Sequence, residues 1–237
     1  MSNKSAPRTR NRLLARLQSQ DYERLLPHLT AVTLELNQVL VEAHAPIEFV
    51  YFPLSCVLSA IAMTDGGEGI EVGTVGNEGA EGLTAFIGPS ISPNRVIAQI
   101  AGDAIRVEAS ILAADAKTNP TLHDLLFRHL QAFLAQVTQS VACNGLHSLN
   151  QRCCRWLLMT HDRVEGDVVP LTHEFLALML AVRRPGVTEA LSALEKQGLI
   201  TTSRGLITIS NRAGLKAACC DCYRIVAKEY ARLLGSE

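Results

Sequence analysis

Leu171-Thr172-His173-Glu174-Phe175-Leu176-Ala177-Leu178-Met179-Leu180-Ala181-Val182-Arg183-Arg184-Pro185-Gly186-Val187-Thr188-Glu189-Ala190-Leu191 reads as two short helices around a tight break. Thr172 is placed to cap the first helix, and Glu174 adds an acid to a first turn whose dipole favours negative charge. Phe175, Leu176, Met179 and Leu180 form one apolar face. Pro185 stands where a first helical turn tolerates a missing N–H. The stripe resumes at Val187, Leu191 and Leu194, and Gly198 stops it. Thr201 to Ile209, with β-branched runs on either side of Arg204-Gly205, reads as a β-hairpin. Arg183 and Arg184 fall at a helix N-terminus, where cations oppose the dipole, so their presence there needs a reason other than helix stability. Helix, break, Arg-Arg, helix and hairpin is an order that can lay the second helix in the DNA major groove.

Upstream, the texture changes twice. From Thr30 to about Glu108, short alternating runs are punctuated by glycine turns such as Asp65-Gly66-Gly67 and Gly102-Asp103. That spacing predicts a β-sandwich or roll. Leu122, Leu126, Leu130, Phe133, Val137 and Val141 then recur every three or four residues, with Leu125 and Leu134 widening the stripe. A helix from Thr121 to His147 would be about 40 Å long. So broad a stripe leaves part of itself for a second copy of the chain. A further helix, Gln151 to Arg163, carries Trp156, Leu157 and Leu158, and a last one, Arg212 to Leu234, is expected behind the hairpin. The basic start, with Lys4, Arg8, Arg10 and Arg12, reads as a loose arm.

The 237 residues suffice for two modest domains, and 48% hydrophobic with 19% charged residues is a globular composition. A formal net charge of −1 requires any attraction to phosphate to come from a local basic face. No run of eighteen apolar residues and no signal-peptide pattern is present, so a cytoplasmic protein without membrane contact is expected.

Leu171 to Leu199 with the Arg204-Gly205 hairpin resembles the DNA-binding domain of the Crp–Fnr regulators. The run Arg-Arg-Pro-Gly-Val-Thr-Glu-Ala-Leu resembles one branch of that family, and Asn11-Arg12-Leu13-Leu14 through Tyr51-Phe52-Pro53 resembles the start of that branch's sensor domain. The resemblance implies an α+β chain: a cyclic-nucleotide-binding-like β jelly roll over 1–118, a dimerisation helix over 119–148 and a winged helix-turn-helix over 149–237. It also implies a homodimer on a near-palindromic double-stranded DNA site, with RNA polymerase as a further partner and no enzymatic activity. Arg184 matches the family's base-reading arginine and suits a bidentate contact to guanine. Glu189, where better-known relatives often have arginine, could accept from a cytosine amine. Thr188 could meet a base or phosphate, while Arg183, Thr172 and Arg204 suit phosphates.

In cyclic-nucleotide-binding relatives a Gly-Glu pair meets the ribose, and an arginine followed by a small hydroxyl residue meets the phosphate. Here the loop reads Val75-Gly76-Asn77-Glu78-Gly79, and Arg95 is followed by Val96. Glu78 and Arg95 are the candidate effector-binding pair, but the pattern departs from the family's at both ends. No cofactor is therefore expected, and the effector is left open.

His44 is the only histidine between Thr30 and Asp115, too few for a metal centre in the β region. Of the seven cysteines, Cys219 and Cys222 lie a helical turn apart, without a second pair at ligand spacing. No metal site is expected, and reduced thiols as small buried hydrophobes are the reading that follows. Two other readings compete with the regulator. One is a β-roll protein whose winged helix contacts proteins; the other is a thiol- or metal-based redox sensor.

Overall fold

The computed structural model describes residues 10–235. Lys4 and Arg8 of the expected arm lie outside them. Arg10 and Arg12 do not behave as a loose arm. Arg10 pairs with Glu165 at 3.1 Å, and the Arg12 N–H donates to the Asn77 carbonyl at 2.7 Å. The reason is Asn11, fully buried between them. Its side-chain amide donates to the carbonyls of Pro53 and Gly79, while its Oδ1 accepts from the N–H groups of Leu13 and Leu14. One side chain thus pairs four buried backbone groups that would otherwise be costly to leave unpaired.

A 3₁₀ turn at Leu14–Arg16, helix α1 at Ser19–Leu25 and a second 3₁₀ turn at Leu26–His28 lead into seven strands. These are β1 Thr30–Leu34, β2 Val39–Val41, β3 Phe49–Pro53, β4 Val57–Met63, β5 Gly69–Val75, β6 Arg95–Ile100 and β7 Gly102–Glu108. They form two antiparallel sheets in the orders β1-β7-β3 and β2-β6-β4-β5. Leu34, Leu58, Val96, Ala98 and Ala104 fill the space between them. Strands β6 and β7 are consecutive yet belong to different sheets, so the chain must cross at Gly102. A Cβ there would sit 2.7 Å from the Cys56 nitrogen, which is why glycine occupies the crossing.

Helix α2, Ala109–Thr118, runs directly into α3, Pro120–Leu146. Asn119 separates them, its side chain accepting from the N–H groups of Thr121 and Leu122. The 27 residues of α3 make about 40 Å of helix. The structure splits its apolar stripe in two. Leu122, Leu126, Ala132 and Cys143 bury against the chain itself, whereas Leu134 and Val141 stay 63% and 68% exposed. Helix α4, Leu149–His161, starts on a capping box between Ser148 and Gln151. There follow β8 Val168–Pro170, α5 His173–Met179, α6 Arg184–Lys196, β9 Ile200–Ser203, β10 Leu206–Ile209, α7 Arg212–Ala218 and α8 Cys222–Leu234.

The last helix is therefore two, broken at Cys219-Cys220-Asp221, and α8 does not lie behind the hairpin. The break redirects α8, so that Val226, Tyr230, Leu233 and Leu234 turn away from the hairpin. Leu233 and Leu234 instead join Leu13, Leu122 and Leu126 in the core of the N-terminal half. The break also regroups the cysteines. Cys143 and His147, from the end of α3, meet Cys220 and Cys222. Cys219 packs beside this group without being one of the four converging ligand-type atoms, and its Sγ lies 4.0 Å from the Gln151 carbonyl. The pairing of Cys219 with Cys222, and the absence of a second ligand pair, are both corrected by this geometry.

The glycine-rich loop after β5 packs closely against helices. A Cβ at Gly76 would lie 2.7 Å from Arg163 Cγ, and one at Gly79 would overlap the His129 ring. Glu78 is buried and pairs with Arg163, whose Nη2 and Nε donate to Oε1 at 2.7 and 2.8 Å. The carboxylate also accepts from the Gly76 N–H at 3.1 Å. Arg163 reaches on to the Met159 carbonyl and to Gln136 of α3, and Gln136 donates to the Thr74 carbonyl. The expected effector pair is consequently not assembled: Arg95, at the start of β6, pairs with Glu42 at 3.3 Å. Burial alone would raise the Glu78 carboxyl, but the Arg163 charge and the backbone N–H groups outweigh it and hold it below the usual range.

Breaking a buried pair leaves an uncompensated charge, so Glu78→Gln should lower stability by about 3–5 kcal/mol in denaturant unfolding at neutral pH. Because the folded pKa is depressed, the unfolded chain binds more protons as pH falls. The contribution is complete above the unfolded value, about 4.3, and is lost as pH drops through the folded one. The parent's stability must then fall more steeply with acid than that of Glu78→Gln; parallel curves would contradict the pairing.

Candidate nucleic-acid interface

Helix α5 begins on Thr172, whose hydroxyl oxygen accepts from the Phe175 N–H at 3.1 Å, leaving the hydroxyl proton free to donate. It ends in a turn that closes on itself. The Val182 N–H returns to the Ala177 carbonyl at 3.0 Å and the Ala181 N–H to Leu178 at 3.1 Å. Ala181 takes φ +48°, the left-handed position of a Schellman cap that glycine fills more easily. Arg152 of α4 donates to the Leu180 carbonyl at 2.5 Å, tying the turn to the helix behind it. Nothing in the sequence around the turn points to Arg152.

Arg183 is the extended residue that caps α6, and Pro185 sits in the helix's first turn. Val187, Ala190, Leu191 and Leu194 are buried. Arg184, Thr188, Glu189 and Ser192 are left on the outward face. Thr188 donates to the Arg184 carbonyl, and its hydroxyl stands 3.1 Å from His173 Nδ1 on α5. His173 and Ser192 are members of this face that sequence reasoning did not single out. For Ser192, the i+4 step from Thr188 was the available signal. Arg184 Nε lies 3.8 Å from Glu174 Oε2, with both side chains more than 60% exposed. A pair that loose and solvated contributes little, so the guanidinium can be redirected at small cost.

The hairpin of β9 and β10 turns at Arg204-Gly205, where Gly205 takes φ +75° and Arg204 is exposed. With β8 it forms a three-stranded sheet. The Leu171 N–H, just ahead of α5, donates to the Gly205 carbonyl at 2.9 Å, and Thr202 donates both its N–H, at 2.7 Å, and its hydroxyl to Glu195 of α6. The groove between hairpin and helices is lined by Thr172, His173, Glu174, Arg184, Thr202 and Arg204. Thr172, Arg184 and Arg204 thus come together, with Arg183, Thr188 and Glu189 on the adjoining helix face. Three arginines project here from a chain of net charge −1, which makes this a locally basic face interrupted by Glu174 and Glu189.

Residues 151–218 match the family described as the Crp-like helix-turn-helix domain. No curated protein matches the chain. Among solved structures, FixK2 from Bradyrhizobium japonicum is similar at 19% identity with a TM-score of 0.69, over 81% of this chain and 98% of that one. A transcriptional regulator of the Crp/Fnr family from Eubacterium rectale is similar at 19% identity and TM-score 0.68, over 85% and 94% of the two chains. A Crp-family regulator from Thermus thermophilus follows at 18% identity and TM-score 0.66, over 79% and 95%. This chain has the Crp/Fnr regulator fold and carries within it, at residues 151–218, a Crp-like helix-turn-helix domain.

Proposed function

We propose that the protein is a sequence-specific DNA-binding regulator of transcription that acts as a homodimer, its output governed by the N-terminal β-roll. The observation that carries this reading is the outward face of α6, where Arg184, Thr188 and Glu189 project beside a groove shared with Arg204. Arg184 reads a guanine through its two parallel donors, and Glu189 accepts from a cytosine amine. Arg183, Thr172 and Arg204 hold phosphates and set the register. Dimerisation is supported by the exposed Leu134 and Val141, one helical face apart from the buried stripe of α3. Pairing these faces would place the two α6 helices about 34 Å apart, matching successive major grooves of a near-palindromic site. RNA polymerase is the further partner of such a regulator, which needs no catalytic residue of its own. No helix among the described residues is long and apolar enough to cross a membrane.

Selection from random duplexes should enrich a near-palindromic motif; no enrichment would remove the DNA reading. On that motif Arg184→Ala should lose about 1–3 kcal/mol of discrimination at one base step per half-site while circular dichroism stays unchanged. An unaltered footprint would sink the assignment. Arg204→Ala should instead weaken all duplexes alike and reduce the slope of log affinity against log salt by about one for each phosphate lost.

Leu134→Glu combined with Val141→Glu should convert a dimer to a monomer in sedimentation at micromolar concentration. A dimer that survives both charges would show that another surface makes the contact.

A further inference from the structure

We propose that Cys143, His147, Cys220 and Cys222 bind one thiophilic divalent metal ion of the zinc class, and that the ion clamps the hinge after α3 to the start of α8. The four ligand-type atoms all lie within 4.8 Å of one another. Cys143 Sγ is 3.6 Å from Cys220 Sγ, and Cys222 Sγ is 3.4 Å from His147 Nδ1. A tetrahedral ion with bonds of about 2.3 Å to sulfur and about 2.1 Å to nitrogen sets its ligands about 3.6–3.8 Å apart. The sulfurs are too far apart for a disulfide, which needs about 2.05 Å. So compact a set also fits one ion better than a bridged cluster.

The fold builds this set from two directions. Cys143 and His147 are four apart in the last turn of α3 and its cap, so they share one helix face. The break between α7 and α8 lets Cys220 and Cys222 face the same point across Asp221, a turn that a continuous helix would forbid. Cys143 and Cys222 are fully buried and Cys220 nearly so, while His147 is partly open to solvent and offers a way in.

Neighbouring groups orient the ligands. Gln139 Nε2 donates to Cys222 Sγ at 3.1 Å. His147 Nε2 faces Asp221 Oδ1 at 3.8 Å, which favours a proton on Nε2 and turns the Nδ1 lone pair toward the thiols. A carboxylate behind a histidine ligand and an N–H donor on a thiolate are usual supports of a metal centre. Three cysteines and one histidine complete a tetrahedron without an open position, which marks a structural ion. His147 directly precedes Ser148, the cap of α4, so the ion would fix the point where the long helix hands over to the helix-turn-helix domain. Metal binding at this cluster is read out independently of DNA binding.

The test uses the full chain, reduced and stripped of metal under anaerobic conditions, titrated with cobalt(II). One equivalent should bind with the intense visible bands of a tetrahedral thiolate site and be displaced by one equivalent of zinc. Cys143→Ser, Cys222→Ser and His147→Ala should each abolish the stoichiometric step, Gln139→Leu should weaken it about tenfold, and Cys219→Ser should leave it intact. Should the ligand variants fail to fold, alkylation of the parent decides. Cys143, Cys220 and Cys222 must be protected by zinc and labelled without it, with Cys219 unaffected. No cobalt binding, an octahedral spectrum, loss in Cys219→Ser, a bridged iron–sulfur absorption, or labelling indifferent to zinc would each overturn the proposal.

Discussion

Arg163 and Glu78 meet with little access to water, their side chains 8% and 6% exposed. Arg163 follows α4, the first helix of the C-terminal half, and Glu78 sits in the loop that leaves β5 of the roll. Gln136 of α3 completes the contact by joining Arg163 to the Thr74 carbonyl. Desolvating two ions is costly, and the cost is offset only while every lone pair and proton is satisfied in this arrangement. The network is therefore a geometric constraint as much as a stabilising one. Roll, long helix and helix-turn-helix domain can share it only in one relative placement, and the glycines at 76 and 79 exist to let the helices come that close.

Apolar packing follows the same lines. One buried cluster runs from Val57, Ile61, Ile97 and Ile100 of the four-stranded sheet through Trp156 and Leu157 to Met179, Leu191 and Ile207. A second joins Leu13, Phe52 and Leu126 to Leu233 and Leu234 at the far end of the chain. The C-terminal half is thus held to the N-terminal half by its first helix and by its last. Just ahead of the first attachment, His147 and Ser148 join α3 to α4, with the cysteine cluster beside them.

The outward face of α6 is shaped largely by local contacts. Thr172, the turn at Ala181, and the Thr202–Glu195 bond orient α6 and the hairpin, while the roll packs beneath α5. The Arg152 bond to Leu180 adds a hydrogen bond from a residue distant in sequence. That locality explains why the face is legible from sequence: its caps, its apolar period and its turn residues all lie within about one supersecondary unit.

Sequence alone determined the elements whose cause is local. The alternation of the β runs, the 27-residue helix after Pro120, the Thr172 cap, the Gly198 stop and the Arg204-Gly205 turn all follow from periods and caps that act over a few residues. Tertiary structure alone decided the contacts between residues far apart. Glu78 was a plausible ligand group until Arg163, 85 positions away, occupied it. Cys219 and Cys222 looked like a pair because spacing was the only guide, whereas Cys143 and Cys220, 77 positions apart, are the sulfurs that meet. Leu233 and Leu234 were expected behind the hairpin, and the fold gave them α3 instead. In each case the side chain announces what kind of partner it needs, and only the closed chain, by choosing which distant surfaces exclude water together, determines which partner it gets.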